Sequence, residues 1–484
     1  MADVRKLVTI DSAGTVTTVK DLEVSSSYQA VRGSFAVKAA DRQTAMVGAA
    51  RRYAGQTAVA ETHGNAEVSW KALVKGATAD LCLQNVEGMV AAFEPLEYPG
   101  LHLEWRPDGA TYSTYYEVRG PARWQPAYDW AQFQGAGSMI VEVAVPVAPL
   151  ARGATQSISV SSFTAPNVVQ LGSAVNGTAP ARVQVGVGKA SGQQGPAFGL
   201  LGWWQRLAAP PAGYSSPFGL IEAETVLSGS TNVVWASGAD AGSRGGNRLA
   251  ATASGAQTAT SRYGVSTAGL SGRQVELEIF ARVYVPTTLV SPRVTASFYT
   301  DGGAGSSVFT REWGSAGRPV SVPSSSGYRL TRVGTVSLPL QTAALAVETK
   351  WVLKLDVSWA AGSSGTVGLD WIALVPAGQR ACSPTGEPLD SAYPRFMPSG
   401  TNAATKTVTP DLAGMLTTSG ATNAADTGLG GSVIEVPPGN VDMLVLLSEQ
   451  VPDEPSSGNL NGKEWTGTTM SLSVIPRYFL VRGS

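Results

Sequence analysis

The chain has 484 residues, a formal net charge of −1 and 15% charged side chains, against about 25% in an average soluble protein. That balance removes the electrostatic case for nucleic acid or an anionic membrane as the main partner. With 43% hydrophobic residues, 55 Gly and 29 Pro, the composition suits real cores built from short strands and many turns.

Domains run to roughly 100–200 residues, so about three are expected. Cys82 and Cys382 sit far apart and read as buried free thiols, unless the fold brings them together. The histidines, His63 and His102, lack partners at metal-ligand spacing. The first dozen residues have no apolar core behind their charges, and no run approaches the roughly 18 apolar residues of a membrane helix. The expectation is a soluble chain made in a cytoplasm, with no membrane insertion.

Residues 7–10 and 15–19 flank Asp11-Ser-Ala-Gly14 as a hairpin. The stretch 40–54 is expected to be a helix, with Asp41 near its start, Arg51 and Arg52 near its end and Gly55 as a stop. Val68 and Trp70 alternate with Glu67, Ser69 and Lys71, as in a strand with one wet face. Leu83, Val86, Val90 and Phe93 fall on one side of a second helix, weakened by Gly88. Leu101, Leu103 and Trp105 alternate with His102 and Glu104, which places His102 on the exposed side. A strand from Met139 to Val147 closes this region, with Pro146 marking an edge or a strand end.

Residues 149–156 read as a linker. Strands follow at 157–163 and 182–187, separated by a turn at Asn176-Gly177. The apolar run 198–204 ends in Trp203-Trp204, and the segment 208–213, Ala-Ala-Pro-Pro-Ala-Gly, breaks the pattern.

From Phe218 to Val375 the alternation is the strongest in the chain. Val275, Leu277, Ile279, Ala281, Val283 and Val285 point one way; Glu276, Glu278, Phe280, Arg282 and Tyr284 point the other. Trp351 to Trp359 repeats the pattern, and Val294, Ala296 and Phe298 give a shorter example. Many strands and almost no helix make a β-sandwich, most simply a jelly roll. A short strand, Ile221-Glu-Ala-Glu-Thr225, opens the unit, and a strand from 366 to 375 closes it.

Residues 379–431 are polar and turn-rich and read as long loops. Strands return at 433–436, 441–447 and 470–481. So few strands need partners, and 157–204 supplies them. The fold class expected is therefore mainly β: an N-terminal β-sandwich with one or two helices (1–152), a discontinuous second β-sandwich (153–216 and 379–484), and an inserted jelly roll (217–378). Insertion at a surface turn makes this feasible.

Two family resemblances have residues behind them. The hairpin, then Asn65-Ala-Glu-Val-Ser-Trp-Lys71, Leu101-His-Leu-Glu-Trp-Arg106 and the 139–147 strand before Pro149-Leu-Ala-Arg-Gly153, resemble in their order the N-terminal belt domain of siphophage distal tail proteins. Asn176-Gly-Thr-Ala-Pro180, Val436-Pro-Pro-Gly-Asn440 and Ile475-Pro-Arg-Tyr-Phe-Leu-Val481 resemble the second sandwich of those proteins, or of actinobacteriophage minor tail proteins. This resemblance implies a homo-hexameric ring, with the tail tube and the tail-tip hub as neighbours and the virion tail tip as location.

The insert resembles jelly-roll carbohydrate-binding modules, through Glu222-Ala-Glu224 in its first strand and Leu369-Asp-Trp-Ile372 in its last. That likeness implies a structural calcium held by Glu222, Glu224 and Asp370, since Ca²⁺ wants several oxygen ligands and two strand ends can present carboxylates together. Glu222 and Glu224, two apart, would share one strand face. The alternative is solvated strand residues with no ion, and no cofactor is required.

Sugar recognition needs a flat apolar face and polar groups for hydroxyls. Trp235, Tyr263, Trp313 and Tyr328, in turn-rich parts of the insert, are the aromatic candidates; Arg244, Asn247 and Arg262 are the hydrogen-bonding ones. Ordinary packing is the alternative for each aromatic, and is the reading for Trp351, Trp359 and Trp371. Glu276 and Glu278 read as solvated strand carboxylates rather than an acid–base pair. No phosphate loop follows the Gly-rich turns. The expectation is a non-enzymatic phage tail-tip component whose insert touches host-surface glycan. The alternatives are a stand-alone glycan-binding protein and an insert that is only a spacer.

Overall fold

The computed structural model describes residues 4–11, 14–24, 26–48, 56–127, 137–160, 167–171, 175, 177–188, 198–207, 209–229, 233–268, 275–301, 309–315, 319–322, 324, 327–338, 350–376, 395–398, 406–408, 427–430, 435–448 and 469–479. The chain is mainly β, with antiparallel sheets throughout and one α-helix among the described residues. It divides into two compact units: Met1–Gln156 with Ala174–Arg182 and Ser473–Ser484, and Ser157–Ser173 with Val183–Leu472.

In the first unit one sheet runs through Val16–Asp21, Val4–Ile10, Leu101–Arg106, Thr114–Glu117 and Ala151–Arg152, where Ala151 lies opposite Tyr478. The other runs through Arg123–Pro126, Ser138–Val147 and Ala66–Lys75, with Tyr28–Ala30 and Ala36–Lys38 sharing the far edge. Alternation drives the packing: Met139, Val141, Val143, Val145 and Val147 are all buried, and so are Val68, Trp70 and Val74. They meet Leu7, Leu103 and Tyr116 of the first sheet in one core. Helix Ala79–Ala91 adds Cys82, Val86 and Met89 to it. Its start is fixed by Thr78, whose Oγ1 accepts the Leu81 amide at 3.2 Å. Cys82 is a buried free thiol, while Cys382 lies outside the described residues.

Residues 42–48, expected to be helical, instead form the strand Arg42–Gly48, paired with Gln56–His63; residues 49–55 lie outside the described ones. Asp41, Arg51, Arg52 and Gly55 mimic helix caps, but Thr44 and Val47 favour the extended chain, and a neighbouring strand supplies the ladder. His102 is buried, not exposed, with its Nδ1 2.7 Å from the Gly100 carbonyl oxygen. Both faces of its strand are covered, because Val8, Ile10 and Tyr115 form a small second core on the outer side.

In the second unit, Phe198–Gln205 lies beside Val441–Ser448, from Phe198 opposite Ser448 to Gln205 opposite Val441. Asn167–Gln170 extends the same sheet on one side; Arg395–Pro398 and Thr427–Gly430 extend it on the other. These last two, with Lys406–Val408, are strands inside a stretch expected to be all loop. Where the paired strands end, Arg206 grips Asp442 at 2.7 Å and its amide donates to the Asn440 carbonyl at 2.7 Å.

Residues 219–376 build two six-stranded sheets. One contains Gly219–Glu222, Ala236–Ala239, Asn247–Ser254, Val275–Val285, Gly327–Leu338 and Ser364–Pro376. The other contains Ser228–Gly229, Gln257–Ser266, Arg293–Asp301, Phe309–Ser315, Val320–Ser321 and Lys350–Trp359. They share one core, in which Trp351, Trp359 and Trp371 are packing residues. The first strand pairs with the last, Ile221 opposite Ile372, so the segment begins and ends at one place. That core also takes in Trp204 and Leu444, and a Cβ on Gly202 would meet Val375 Cγ1 at 3.0 Å. The inserted sandwich is thus seated on the strands flanking it.

Candidate functional site: a polar and aromatic cluster on the inserted sandwich

The cluster is organised by the turn joining Ala236–Ala239 to Asn247–Ser254. Gly245 and Gly246 have φ of 67° and 81°, the left-handed region that glycine enters without steric cost. The turn folds back so that Asp240 Oδ1 accepts the Gly242 amide at 2.8 Å. The other oxygen, Oδ2, accepts the Tyr328 hydroxyl at 2.9 Å and lies 2.7 Å from Arg248 Nη1. Burial pushes the Asp240 carboxyl up, but the Gly242 amide, the Tyr328 hydroxyl, Arg248 and Arg282 outweigh it and hold the group below the usual range. Burial and the bond to Asp240 raise the Tyr328 phenol, so it stays a donor.

Two arginines stack on two tyrosines here. Arg248 lies 4.1 Å above the Tyr284 ring and Arg282 lies 4.0 Å above Tyr328. The two rings meet edge-on at 5.4 Å. Behind them Arg282 Nη1 donates to Asp370 Oδ2 at 2.5 Å and to the Gly242 carbonyl at 2.9 Å. The Arg244 amide donates to Asp370 Oδ1 at 2.9 Å, and the Arg244 guanidinium pairs with Glu222. Burial raises Asp370 to about 6 against the pull of Arg282 and the Arg244 amide.

The cluster therefore gathers Glu222, Arg244, Tyr328 and Asp370 of the sequence-derived candidates, and Asn247 stands exposed at the end of the same turn. Trp235, Tyr263 and Arg262 lie apart from it, along Gln257–Ser266. Tyr263 is a correction: its ring is fully buried in the core and its hydroxyl donates to the Ala223 carbonyl at 3.2 Å, which leaves no face for a sugar. Trp235 is half-buried against the same core, with Nε1 donating to the Thr260 carbonyl at 3.0 Å. Arg262 pairs in register with Ser228 and Lys354. Trp313 falls in Phe309–Ser315, and its side chain lies outside the described residues.

The calcium arrangement does not match the residues present. Glu222 ends the strand Gly219–Glu222, and Glu224 sits in a 3-10 turn, Ala223–Thr225, so the two do not share a strand face. Arginine cations already face Asp370 and Glu222. One Glu224 oxygen is buried with no hydrogen-bond partner, and burial raises that carboxyl. Among the described residues no three His, Cys, Asp or Glu converge as a metal-holding group.

Asp240, Arg248, Arg282 and Tyr284 belong to the cluster but were not singled out from sequence. Arg282 and Tyr284 lie in the alternate stripe of 275–285, whose two glutamates read from sequence as solvated. The middle of that stripe is covered, while Glu276 and Tyr284 at its ends are half-buried: Arg282 is buried, and Glu278 has no exposure and pairs with Arg332, which also corrects its reading as a solvated carboxylate.

Chemically the cluster offers arginine and tyrosine donors, carboxylate acceptors and aromatic rings at one end of a sheet. Arg248, Asp240, Arg244 and Glu222 keep 15%, 22%, 30% and 34% side-chain exposure, so its outer rim reaches solvent.

No family model matches the chain, and no curated protein matches it. Among solved structures it is similar to the SPP1 Dit (gp 19.1) protein, described as a paradigm of the hub adsorption apparatus in phages infecting Gram-positive bacteria, with 11% identity and a TM-score of 0.24 over 76% of this chain and 99% of that one. The phage p2 baseplate in its activated conformation matches at 9% identity and 0.21, over 76% and 98%. The tandem CBM22 domains of Paenibacillus barcinonensis Xyn10C match at 10% identity and 0.21, over 59% and 100%. Among the described residues no helix is long and apolar enough to cross a membrane.

Proposed function

We propose that the protein is a non-catalytic structural component of a phage tail tip, with an inserted jelly-roll module that binds host-surface glycan. Its partners in this reading are further copies of itself in a ring of six, the tail tube and the tail-tip hub. The three-part division into a belt-like domain (1–152), a discontinuous second sandwich (153–216 and 379–484) and the inserted module (217–378) belongs to the same proposal.

The observation that carries it is one of chain order. A complete two-sheet sandwich, residues 219–376, is carried between Phe198–Gln205 and Val441–Ser448, which pair with each other. A scaffold that closes around a guest can hold that guest in fixed orientation, and copy number then multiplies weak single-site sugar affinity. The rim of Arg248, Asp240, Arg244 and Glu222 supplies the hydrogen bonds that saccharides need, and the half-buried Tyr284 with Arg248 stacked on it supplies the flat apolar part.

Binding of the full chain to a glycan array containing wall polysaccharides tests the module. Tyr284→Ala and Arg248→Ala should each weaken the signal about tenfold or more, a loss of roughly 1.4 kcal/mol. Trp235→Ala should leave it in place, since that indole is engaged with the core. Absence of binding to every polysaccharide would end the glycan reading.

A further inference from the structure

Arginines from adjacent strands meet on the outer face of the first unit's sheet that contains Ala151–Arg152. Ala151 and Tyr478 lie opposite each other and turn inward to the core. Their neighbours Arg152 and Arg477, also opposite each other, therefore turn outward. Arg182 stands on the next strand, Ala179–Gly188, between the buried Ala181 and Val183. Like charges placed directly opposite on neighbouring strands destabilise a sheet. Here they are also withdrawn from water, since Arg477 is buried and Arg152 and Arg182 are half-buried.

The guanidinium of Arg152 lacks what normally offsets such burial. Its Nη2 donates to the Thr155 hydroxyl, a neutral acceptor, at 2.8 Å, and its buried Nε has no hydrogen-bond partner. Arg152 faces Tyr115 on its other side. The carboxylate two residues along from that tyrosine, Glu117, is engaged by Arg119 at 3.2 Å. Burial and the charge of Arg182 lower the Arg152 guanidinium to about 10, against Glu117 and Tyr115, so it keeps its charge at neutral pH.

The surroundings hold this group in place and leave a way in. A Cβ on Gly14 would stand 2.5 Å from Thr155 Oγ1, so the Gly14 backbone closes against the hydroxyl that Arg152 holds. Ala154 beside it is exposed, and Glu117 keeps 35% exposure. An anion can reach the guanidinium from solvent.

The guanidinium fork matches oxyanions. A single carboxylate, with its two oxygens, satisfies one fork. Arginines approaching from adjacent strands suit a tetrahedral oxyanion, which has an oxygen for each. We infer that the face formed by Arg152, Arg477 and Arg182 is an oxyanion site of the first unit that takes a phosphate group. The site is independent of the insert and of its glycan reading.

The test titrates the full chain calorimetrically, at neutral pH and fixed ionic strength, with inorganic phosphate, glycerophosphoglycerol and acetate. Phosphate should bind saturably and about tenfold or more tighter than acetate. Arg152→Gln should weaken phosphate binding about tenfold or more, and in chloride buffer it should melt no lower than wild type, since it relieves the opposed charges. Arg152→Lys keeps the charge and removes the fork, so it should weaken binding as well, and it decides the matter where the Gln variant fails to fold. Glycerophosphoglycerol bound as well as inorganic phosphate assigns the site to a phosphodiester; inorganic phosphate bound alone assigns it to the free ion. Either result upholds the site.

Three results would overturn the inference: no saturable phosphate binding by the wild-type chain, binding unchanged in the Arg152 variants whatever their melting temperature, or acetate bound as tightly as phosphate. None of them bears on the insert, whose glycan signal depends on Tyr284 and Arg248.

Discussion

The indole of Trp204 and the ring of Phe218 lie 5.8 Å apart, tilted by 38°. Trp204 is the last residue but one of Phe198–Gln205, the strand before the insert, and Phe218 precedes the insert's first strand. Both are almost fully buried in the insert's own core. The junction is therefore a packed one, and the segment between the two rings works as a corner rather than a tether.

Replacing Trp204 with alanine should show this. Removing a buried aromatic of this size costs about 3–5 kcal/mol, here shared between the scaffold strand and the inserted core. Urea denaturation followed by tryptophan fluorescence should show the insert's transition moving to lower denaturant. A shift confined to the scaffold, with the insert unfolding as before, would contradict the packed junction.

His102 gives a pH dependence with a definite sign. Burial, joined by the nearby charges of Arg152 and Arg119, lowers its pKa to about 3, against the Gly100 hydrogen bond. The folded pKa lies below the unfolded value of about 6.5, so the unfolded chain binds the extra proton. The stabilisation is whole above about pH 6.5 and is lost as pH falls toward 3. At pH 4 the loss is about 3 kcal/mol. His102→Asn keeps a side-chain donor and cannot titrate, so it should lose about that much less stability between pH 7 and pH 4. Equal acid sensitivity of the two proteins would contradict a buried neutral imidazole.

Asp370 and Arg282 are buried to 0% and 5% exposure and stand 2.5 Å apart. Removing one partner leaves an uncompensated buried charge, which costs about 3–5 kcal/mol. Asp370→Asn should therefore destabilise the protein strongly in chemical denaturation, and Asp370→Asn with Arg282→Met should recover part of the loss. A single substitution without measurable effect would show the pair to be solvated.

Chelation separates arginine from calcium as the source of positive charge beside Glu222 and Asp370. The guanidinium of Arg244 pairs with Glu222, and that of Arg282 with Asp370. EDTA should leave the melting temperature unchanged. A marked drop, restored by added Ca²⁺, would contradict this arrangement.

What the sequence made legible follows the strength of its periodicities. Val275–Val285, Ser138–Val147 and Lys350–Trp359 alternate over ten or so residues, so the strands and the residues sharing each face are readable, while their pairing partners are not. The stretch at Arg42–Gly48 was misread because its flanking charges imitate helix caps, while its pairing partner is not visible locally. At 379–431 the short strands Arg395–Pro398, Lys406–Val408 and Thr427–Gly430 are too brief for alternation to show.

The candidate site was half legible. Turn residues such as Arg244 and Asn247 announced themselves by the glycines around them. Arg282 and Glu278 did not, because a period of two marks opposite faces and cannot say that both are buried. Whether Glu222 and Glu224 share a face depended on the strand continuing past Glu222, and it gives way there to a 3-10 turn.

The ring is the claim on which the tail-tip reading stands, and native mass spectrometry of the intact chain reaches it most directly. The account predicts an assembly of six copies that persists on dilution. A monomer at every concentration tested would contradict it and leave only a glycan-binding protein that acts alone.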